Sequence, residues 1–467
     1  MSDLWWLSLA EVALRIRNRE VSPVEVVQTL LERIARVDKG LNSFLRVLAD
    51  EALVAARQAE DALSRTEELG LLHGVPIAVK DMIHVRGTRT TCGSKIMADF
   101  VAQEDATVVK RLRENGAIIL GKTNLHEFAY GVTNINPHYG PARNPWDPDR
   151  ISGGSSGGSA VAVAAGLCYG ALGTDTGGSI RIPAALCGVV GLKPTFGRVS
   201  RYGVVPLAWS LDHVGPITRT VEDARLMFQV IAGYDPMDPT TSKEPLPDLR
   251  GLLDGEIRGV RVGVIRTMME DADPQVRSLV QDALKVLTDA GAEVEEVAIP
   301  SLQEMRAAAM AIAMPEASAY HLRWLSQRSL DYGEDVRQRL FVGALLPAHA
   351  YLTGLRARQW LRKQLQEVFE RVQVLVAPTV SAPACPIGAQ TLRVGEEERD
   401  PRAAYLWFNQ VFNMVGLPSI SVPCGFVRHL PVGMQIIGRW FAEGEILSVA
   451  RAFERGAIQI HRRPPVD

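Results

Sequence analysis

The apolar positions of this chain fall into short runs separated by polar, Gly- and Pro-bearing punctuation, and those runs predict alternating helices and strands. Two helix starts stand near the beginning: Ser8 with Glu11, and Ser22-Pro23-Val24-Glu25. Both have capping-box spacing, and the second has Pro at the first helical position. From His73 the character changes. Val75 to Val79 reads as a short buried strand, Thr107 to Asn115 as a helix and Ala117 to Leu120 as another strand. The small, apolar stretch from Ser159 to Gly173 is broken by glycines and falls short of the roughly 20 residues a membrane span needs, so a buried helix is predicted there. Val260 to Ile265 (strand), a helix from about Pro274, and Ala292 to Ile299 (strand) continue the alternation. The chain closes with two strand-like runs, Gly416 to Gly425 and Leu430 to Gly438. Asp235 to Leu249 reads as a long surface loop within one continuous domain, and Val394 to Arg402 as a charged loop. No internal repeat is visible, and the fold class that follows is α/β.

Composition narrows the function. At 467 residues and 47% apolar, the chain can bury a large core. Its 51 Lys and Arg nearly balance 53 Asp and Glu, which speaks against direct nucleic-acid contact or an anionic membrane and fits a small neutral substrate. Five cysteines (Cys92, Cys168, Cys187, Cys385, Cys424) are odd in number and widely spaced, with neither a CxxC pair nor a metal-ligand pattern, so a reducing, cytoplasmic location is expected. Asp3 and the early charges make the N-terminus unlike a signal peptide or an anchor.

Two motifs mislead. Gly116 to Thr123 satisfies the phosphate-binding pattern GxxxxGK[ST], but Ala117 to Leu120 is an apolar run suited to a buried strand rather than an open loop. Gly116 is expected to cap a helix, and Gly121 to Thr123 to turn the chain after the strand. Gly153-Gly154-Ser155-Ser156-Gly157 matches the GxSxG nucleophile elbow, yet turn-forming residues precede it where an apolar strand belongs. His213, beside Asp212, is the most interesting downstream His, but adjacent Asp and His do not make a triad. His84, His126 and His138 lack metal-ligand spacing and read as structural or surface residues.

The residues that carry chemistry lie elsewhere. Gly173 to Arg181 sets Thr176, Gly177 and Gly178 directly before Ser179. Successive glycines let several backbone N–H groups converge on one concave site, as an oxyanion requires; the alternative is an ordinary glycine-rich turn. Lys80 ends the apolar run Val75 to Val79. Its amine serves as a base if burial lowers its pKa from about 10.4 toward roughly 7 or 8, and otherwise it is a strand-end lysine or a partner for Asp81. Two serine clusters and this lysine each supply what the others lack.

At these residues the chain resembles the amidase signature family, whose hallmark is GGSSGGS followed by GTDxGGSIRxPA; here these are Gly153 to Ser159 and Gly173 to Ala184. The match continues through Cys187 to Ala224 and recurs in the two closing strand-like runs, so it covers nearly the whole chain. The resemblance implies a mixed β-sheet covered by helices on both faces. It implies that Ser179 attacks the carbonyl, that Ser155, at a cis peptide, relays the proton, and that Lys80 is the neutral base. It places the oxyanion hole at the amides of Thr176, Gly177, Gly178 and Ser179, and requires no metal or organic cofactor. Tyr130 and Gly131 fall where relatives border the acyl pocket, and Met82 and Ile180 flank the catalytic residues; each of these four also fits ordinary core.

The resemblance further implies one amidase domain over residues 1–467: a helical region at 1–70, the signature core at 73–235, a surface loop at 236–258, and the rest of the sheet with the pocket helices at 259–467. The expected substrates are small neutral carboxamides, anilides or carbamates. The first alternative is the glutaminase subunit of a tRNA-dependent amidotransferase working with partner subunits. It stands second because Tyr405 to Gln410 offers an aromatic, uncharged wall with no acid for an α-ammonium group. Arg358 lies where such enzymes place a carboxylate-binding arginine, but a solvated face of a charged helix is the plainer reading. The other alternative is a catalytically idle binding scaffold, against which the retained Lys80, Ser155 and Ser179 argue. The family admits a homodimer.

Overall fold

The computed structural model describes residues 4–65, 68–247, 249, 256–457, 460 and 462–466. Eleven strands form one mixed sheet: β1 (Phe44–Val47), β2 (Pro76–Lys80), β3 (Ile118–Thr123), β4 (Gly170–Asp175), β5 (Val190–Lys193), β6 (His213–Thr218), β7 (Arg261–Ile265), β8 (Glu293–Val297), β9 (Val374–Pro378), β10 (Ser419–Val427) and β11 (Leu430–Gly438). Their spatial order is β1-β3-β2-β4-β6-β5-β10-β11-β9-β7-β8. Strands β2, β3, β4, β6 and β11 are buried at every residue. Successive side chains of a strand point to opposite faces, so both faces of the sheet are covered at its centre, and these strands read as continuous apolar runs rather than alternating ones. Among the described residues no helix is long and apolar enough to cross a membrane.

The sheet positions the site. Strands β2 and β4 are parallel neighbours, with Ile77 opposite Gly170 and Val79 opposite Leu172, so their C-terminal ends, Lys80 and Asp175, reach the same edge. Two short helices begin there: α1 (Gly157–Ala164), entered from Ser155 and Ser156, and α2 (Arg181–Cys187), entered from Ser179 and Ile180. Loops leaving the carboxyl ends of parallel strands are where open α/β sheets place their ligands.

Several sequence expectations change. The stretch from Ser159 to Gly173 is not one helix: α1 ends at Ala164, Gly166 takes the left-handed conformation (φ +68°) that closes a helix, and the remainder becomes β4. Gly121 to Thr123 does not turn the chain but continues β3, paired to β1 and β2, and a Cβ on Gly121 would stand 2.5 Å from the Arg46 carbonyl oxygen. No open phosphate loop exists there. The turn-like segment before Ser155 is a small hairpin of Arg143–Asn144 with Asp147–Ile151. Val394 to Arg402 is a second hairpin strand and the start of helix Pro401–Trp407, whose first turn Asp400 caps by accepting from the Ala403 amide at 2.7 Å. The helical region at 1–70 also contributes β1 to the sheet edge. Both early helix starts hold: Ser8 and Glu11 form a reciprocal capping box, while Ser22 accepts from the Val24 and Glu25 amides. In the segment 236–258, residues 236–247, 249 and 256–258 carry no helix or strand, and the rest of the expected surface loop lies outside the described residues.

Candidate active site

Lys80 is wholly buried, and its amine reaches three hydroxyls: Ser155 Oγ at 2.7 Å, Ser156 Oγ at 2.9 Å and Thr174 Oγ1 at 2.7 Å. No carboxylate lies within ion-pair distance of it among the described residues. Burial pushes its pKa down from the ordinary 10.5 to about 7, against the more distant pull of Asp175 and Asp212. Half the amines are then neutral near pH 7, and a neutral amine accepts a proton from a hydroxyl. The Gly154–Ser155 peptide is cis. Ser156 ties the cluster together: its hydroxyl donates to the Thr174 carbonyl at 3.1 Å and its amide to the Ser179 carbonyl at 3.1 Å.

The loop carrying Ser179 is clamped from beneath. Asp175 accepts from Arg181 Nε and Nη2, both at 3.0 Å, from the Gly178 amide at 2.7 Å, from the Ile180 amide at 3.1 Å and from Asn413 Nδ2 at 2.8 Å. Burial alone pushes this carboxyl up, but Arg181 outweighs it, with help from Lys193 and Asn413, and holds Asp175 well below the usual carboxylate range. The Gly178 amide is therefore committed to Asp175, which corrects its assignment to the oxyanion hole. The amides of Thr176, Gly177 and Ser179 make no hydrogen bond among the described residues. Gly178 itself needs to be glycine: φ is +119°, and a Cβ would meet Ile182 Cδ1 at 2.6 Å and Asn409 Cβ at 2.7 Å.

Ser179, Thr176 and Gly177 share a small cavity, about 50 Å³, with Tyr130, Gly131 and Arg402. Gly131 leaves room for His126, whose ring would lie 2.2 Å from an added Cβ. Met82 and Ile180 do not line this cavity. Ile180 is core, and Met82 accepts from the Thr174 hydroxyl through its sulfur at 3.2 Å, beneath the lysine. The structure thus brings Lys80 to Ser155 directly and Ser179 beside them through the Ser156 backbone. Thr176 is fixed by its hydroxyl donating to Asp212 at 2.5 Å.

The expected aromatic wall is absent. Tyr405, Trp407 and Phe408 point into the core, and from that segment only Leu406 and Gln410 reach the cavity. Sequence reasoning missed Arg402, which stands one turn before Leu406 on the helix Pro401–Trp407, while Gln410 opens the next helix. It also missed Ser156 and Thr174, the other two hydroxyls on Lys80. Arg358 is not simply solvated: it is half-buried and donates to Ser210 Oγ at 2.8 Å. His213 is buried, and burial pushes it well below its ordinary pKa; its Nδ1 donates to the Leu211 carbonyl at 2.6 Å, and it makes no contact with Asp212 that a triad would need. His126 pairs with Asp335 at 3.0 Å and His138 with Glu127 at 2.8 Å. Among the described residues no group of His, Cys, Asp and Glu has the arrangement of a metal site.

A family model described as Amidase matches residues 25–447. The chain is 42% identical, over 99% of its own length and 99% of the other, to a Moorella thermoacetica protein named as the A-subunit of glutamyl-tRNA(Gln) amidotransferase. A solved structure described as an unexpected vestigial protein complex that reveals the evolutionary origins of an s-triazine catabolic enzyme superposes with a TM-score of 0.94 at 36% identity, covering 97% of this chain and 99% of that one. A bacterial aryl acylamidase of the amidase signature family gives 0.89 at 31% identity, covering 97% and 96%.

Proposed function

The chain belongs to the amidase signature family, and from that premise we propose that it hydrolyses carbon–nitrogen amide bonds of small substrates through an acyl-enzyme on Ser179. The observation that carries this reading is Lys80: a fully buried amine, lowered to about 7, surrounded by hydroxyls and free of any carboxylate partner among the described residues.

In the proposed reaction neutral Lys80 takes the proton of Ser155 as Ser155 takes that of Ser179, and the Ser179 oxygen bonds to the amide carbon. The oxyanion that forms is received by the free amides of Thr176, Gly177 and Ser179. The C–N bond then breaks while Ser155 passes its proton to the departing nitrogen and recovers one from Lys80, leaving an ester on Ser179. Water, deprotonated through the same relay, attacks the ester and frees the acid, and Ser179 regains its proton. Asp175 and Arg181 touch no substrate in this scheme; they hold the loop in the shape that keeps three amides pointing at one place.

The amidotransferase reading is supported by the name of the Moorella relative. Against it, no acid among the described residues lines the cavity to receive the α-ammonium of glutamine. Labelling with a fluorophosphonate tests the nucleophile: Ser179 of the wild-type protein is expected to be modified and S179A not at all, whereas an idle scaffold leaves both unmodified.

A further inference from the structure

The cavity beside Ser179 holds one positive charge that no ion pair balances. Two arginines lie over the Tyr130 ring, Arg339 at 5.3 Å and Arg402 at 6.0 Å from its centroid. Arg339 is occupied: it pairs with Asp335 and donates to the Tyr130 carbonyl at 2.7 Å. Arg402 lines the cavity, and the side-chain hydrogen bond it makes among the described residues is to the sulfur of Met310 at 4.0 Å. It forms no ion pair among the described residues; Asp400 and Asp335 lie near enough to favour its charge, but neither reaches ion-pair distance. Two further polar groups wait at the same place. The Tyr130 hydroxyl is buried without a hydrogen-bond partner, although the residue is only 5% exposed. Gln410 lines the same cavity, and its side chain makes no hydrogen bond among the described residues. A buried hydroxyl left unpaired is costly, and a guanidinium lining the same cavity as that phenol can join it in holding an anionic oxygen pair.

We propose that Arg402, with the hydroxyl of Tyr130, binds a carboxylate at the far end of the substrate's acyl chain, so that the protein acts on monoamides of short dicarboxylic acids. This rests on Ser179 being the nucleophile, since the cavity is where its acyl group must lie. The charge revises the neutral substrate expected from sequence. The small volume, room for only a few waters, favours a short chain over an aryl or fatty acyl group. Glutamine carries the same carboxylate but brings an ammonium for which the cavity has no acid.

Three compounds of one length separate these demands: glutarate monoamide, pentanamide, which lacks the carboxylate, and glutamine, which adds the ammonium. Wild-type protein is expected to hydrolyse the monoamide with kcat/KM on the order of 30-fold above pentanamide, the scale of a charge-assisted hydrogen-bonded pair, and above glutamine. In R402Q the ratio of monoamide to pentanamide is expected to fall below about threefold, mainly through KM for the monoamide, and R402K is expected to restore part of it. Calorimetric binding of the monoamide to S179A, and its loss in S179A/R402Q, reads the pocket without turnover. Equal wild-type kcat/KM for monoamide and pentanamide, a preference that survives R402Q in folded protein, or monoamide binding undiminished in S179A/R402Q overturns the proposal. Failure of the fluorophosphonate to label wild-type Ser179 overturns instead the hydrolase reading, and the calorimetric arm still decides the pocket.

Discussion

Two lysines lie side by side in this sheet with opposite consequences. Lys80 ends β2 and Lys122 lies in β3, one register step away: Val79 faces Lys122 and Lys80 faces Thr123. Both are fully buried. Lys122 meets Asp81 Oδ1 at 2.8 Å and donates to Thr90 Oγ1 at 3.0 Å, so its charge is compensated and its role is to join strand to loop. Lys80 meets only hydroxyls, and its pKa drops to about 7. Burial without a counter-charge lowers an amine's pKa, because removing the proton then relieves the cost of desolvation.

The sharpest way to break this comparison is K80M. Turnover of the best amide should fall by about 10⁴-fold, the upper range for loss of a general base, while the midpoint of thermal unfolding holds or rises because an unpaired buried amine has gone. Retention of a few per cent of activity would remove Lys80 from the proposed chemistry. K122M should do the reverse, costing about 3–5 kcal/mol of stability in urea unfolding by leaving Asp81 buried and unpaired; a loss under about 1 kcal/mol would mean the two lysines do not differ in this way. G178A, which forces a Cβ against Ile182 and Asn409 at a positive φ, is expected to lower kcat by roughly 10²-fold with little change in KM, since it shifts the amides aimed at the oxyanion. A larger change in KM than in kcat would argue that the loop serves binding alone.

The pH dependence gives the smallest and most diagnostic effect. In the proposed reaction the neutral amine is the working form, so kcat/KM should be flat above about pH 7 and fall about tenfold per unit below it. The same shift has a sign for stability. The folded pKa of about 7 lies below the ordinary 10.5, so the unfolded chain binds more protons between these values, and the unfolding free energy gains a rising contribution from pH 7 to 10.5. K80M should remove that contribution. Unfolding curves of the two proteins that stay parallel across this window would contradict a depressed Lys80.

Much of this was legible in the chain. Lys80, Ser155 and Ser179 stand out through the resemblance their motifs carry, since a glycine-rich turn or a strand-end lysine taken singly has other uses. The buried strands were legible as unbroken apolar runs, and the false phosphate loop was unmasked by the same signal, although β3 runs on through Thr123 where a turn was expected. The cavity wall was misread for a simple reason. Composition named Tyr405 to Gln410 aromatic, but Tyr405, Trp407 and Phe408 pack into the core, and Leu406, from the helix Pro401–Trp407, and Gln410, which opens the next helix, line the cavity with Ser179. Arg402 lines it from the same helix as Leu406 and belongs to no motif.

What the sequence alone supplied is the family resemblance, and through it the proposed nucleophile and base, because the Gly- and Ser-rich motifs and the strand-end lysine that carry the resemblance are each written in neighbouring residues. Only the tertiary structure decided which groups leave that base uncompensated and which amides and charges face the cavity. Ser156, Thr174, Asp175 and Arg402 act through contacts between segments distant in the chain, and whether a polar group is paired is a property of what packs against it, not of its own neighbours in sequence.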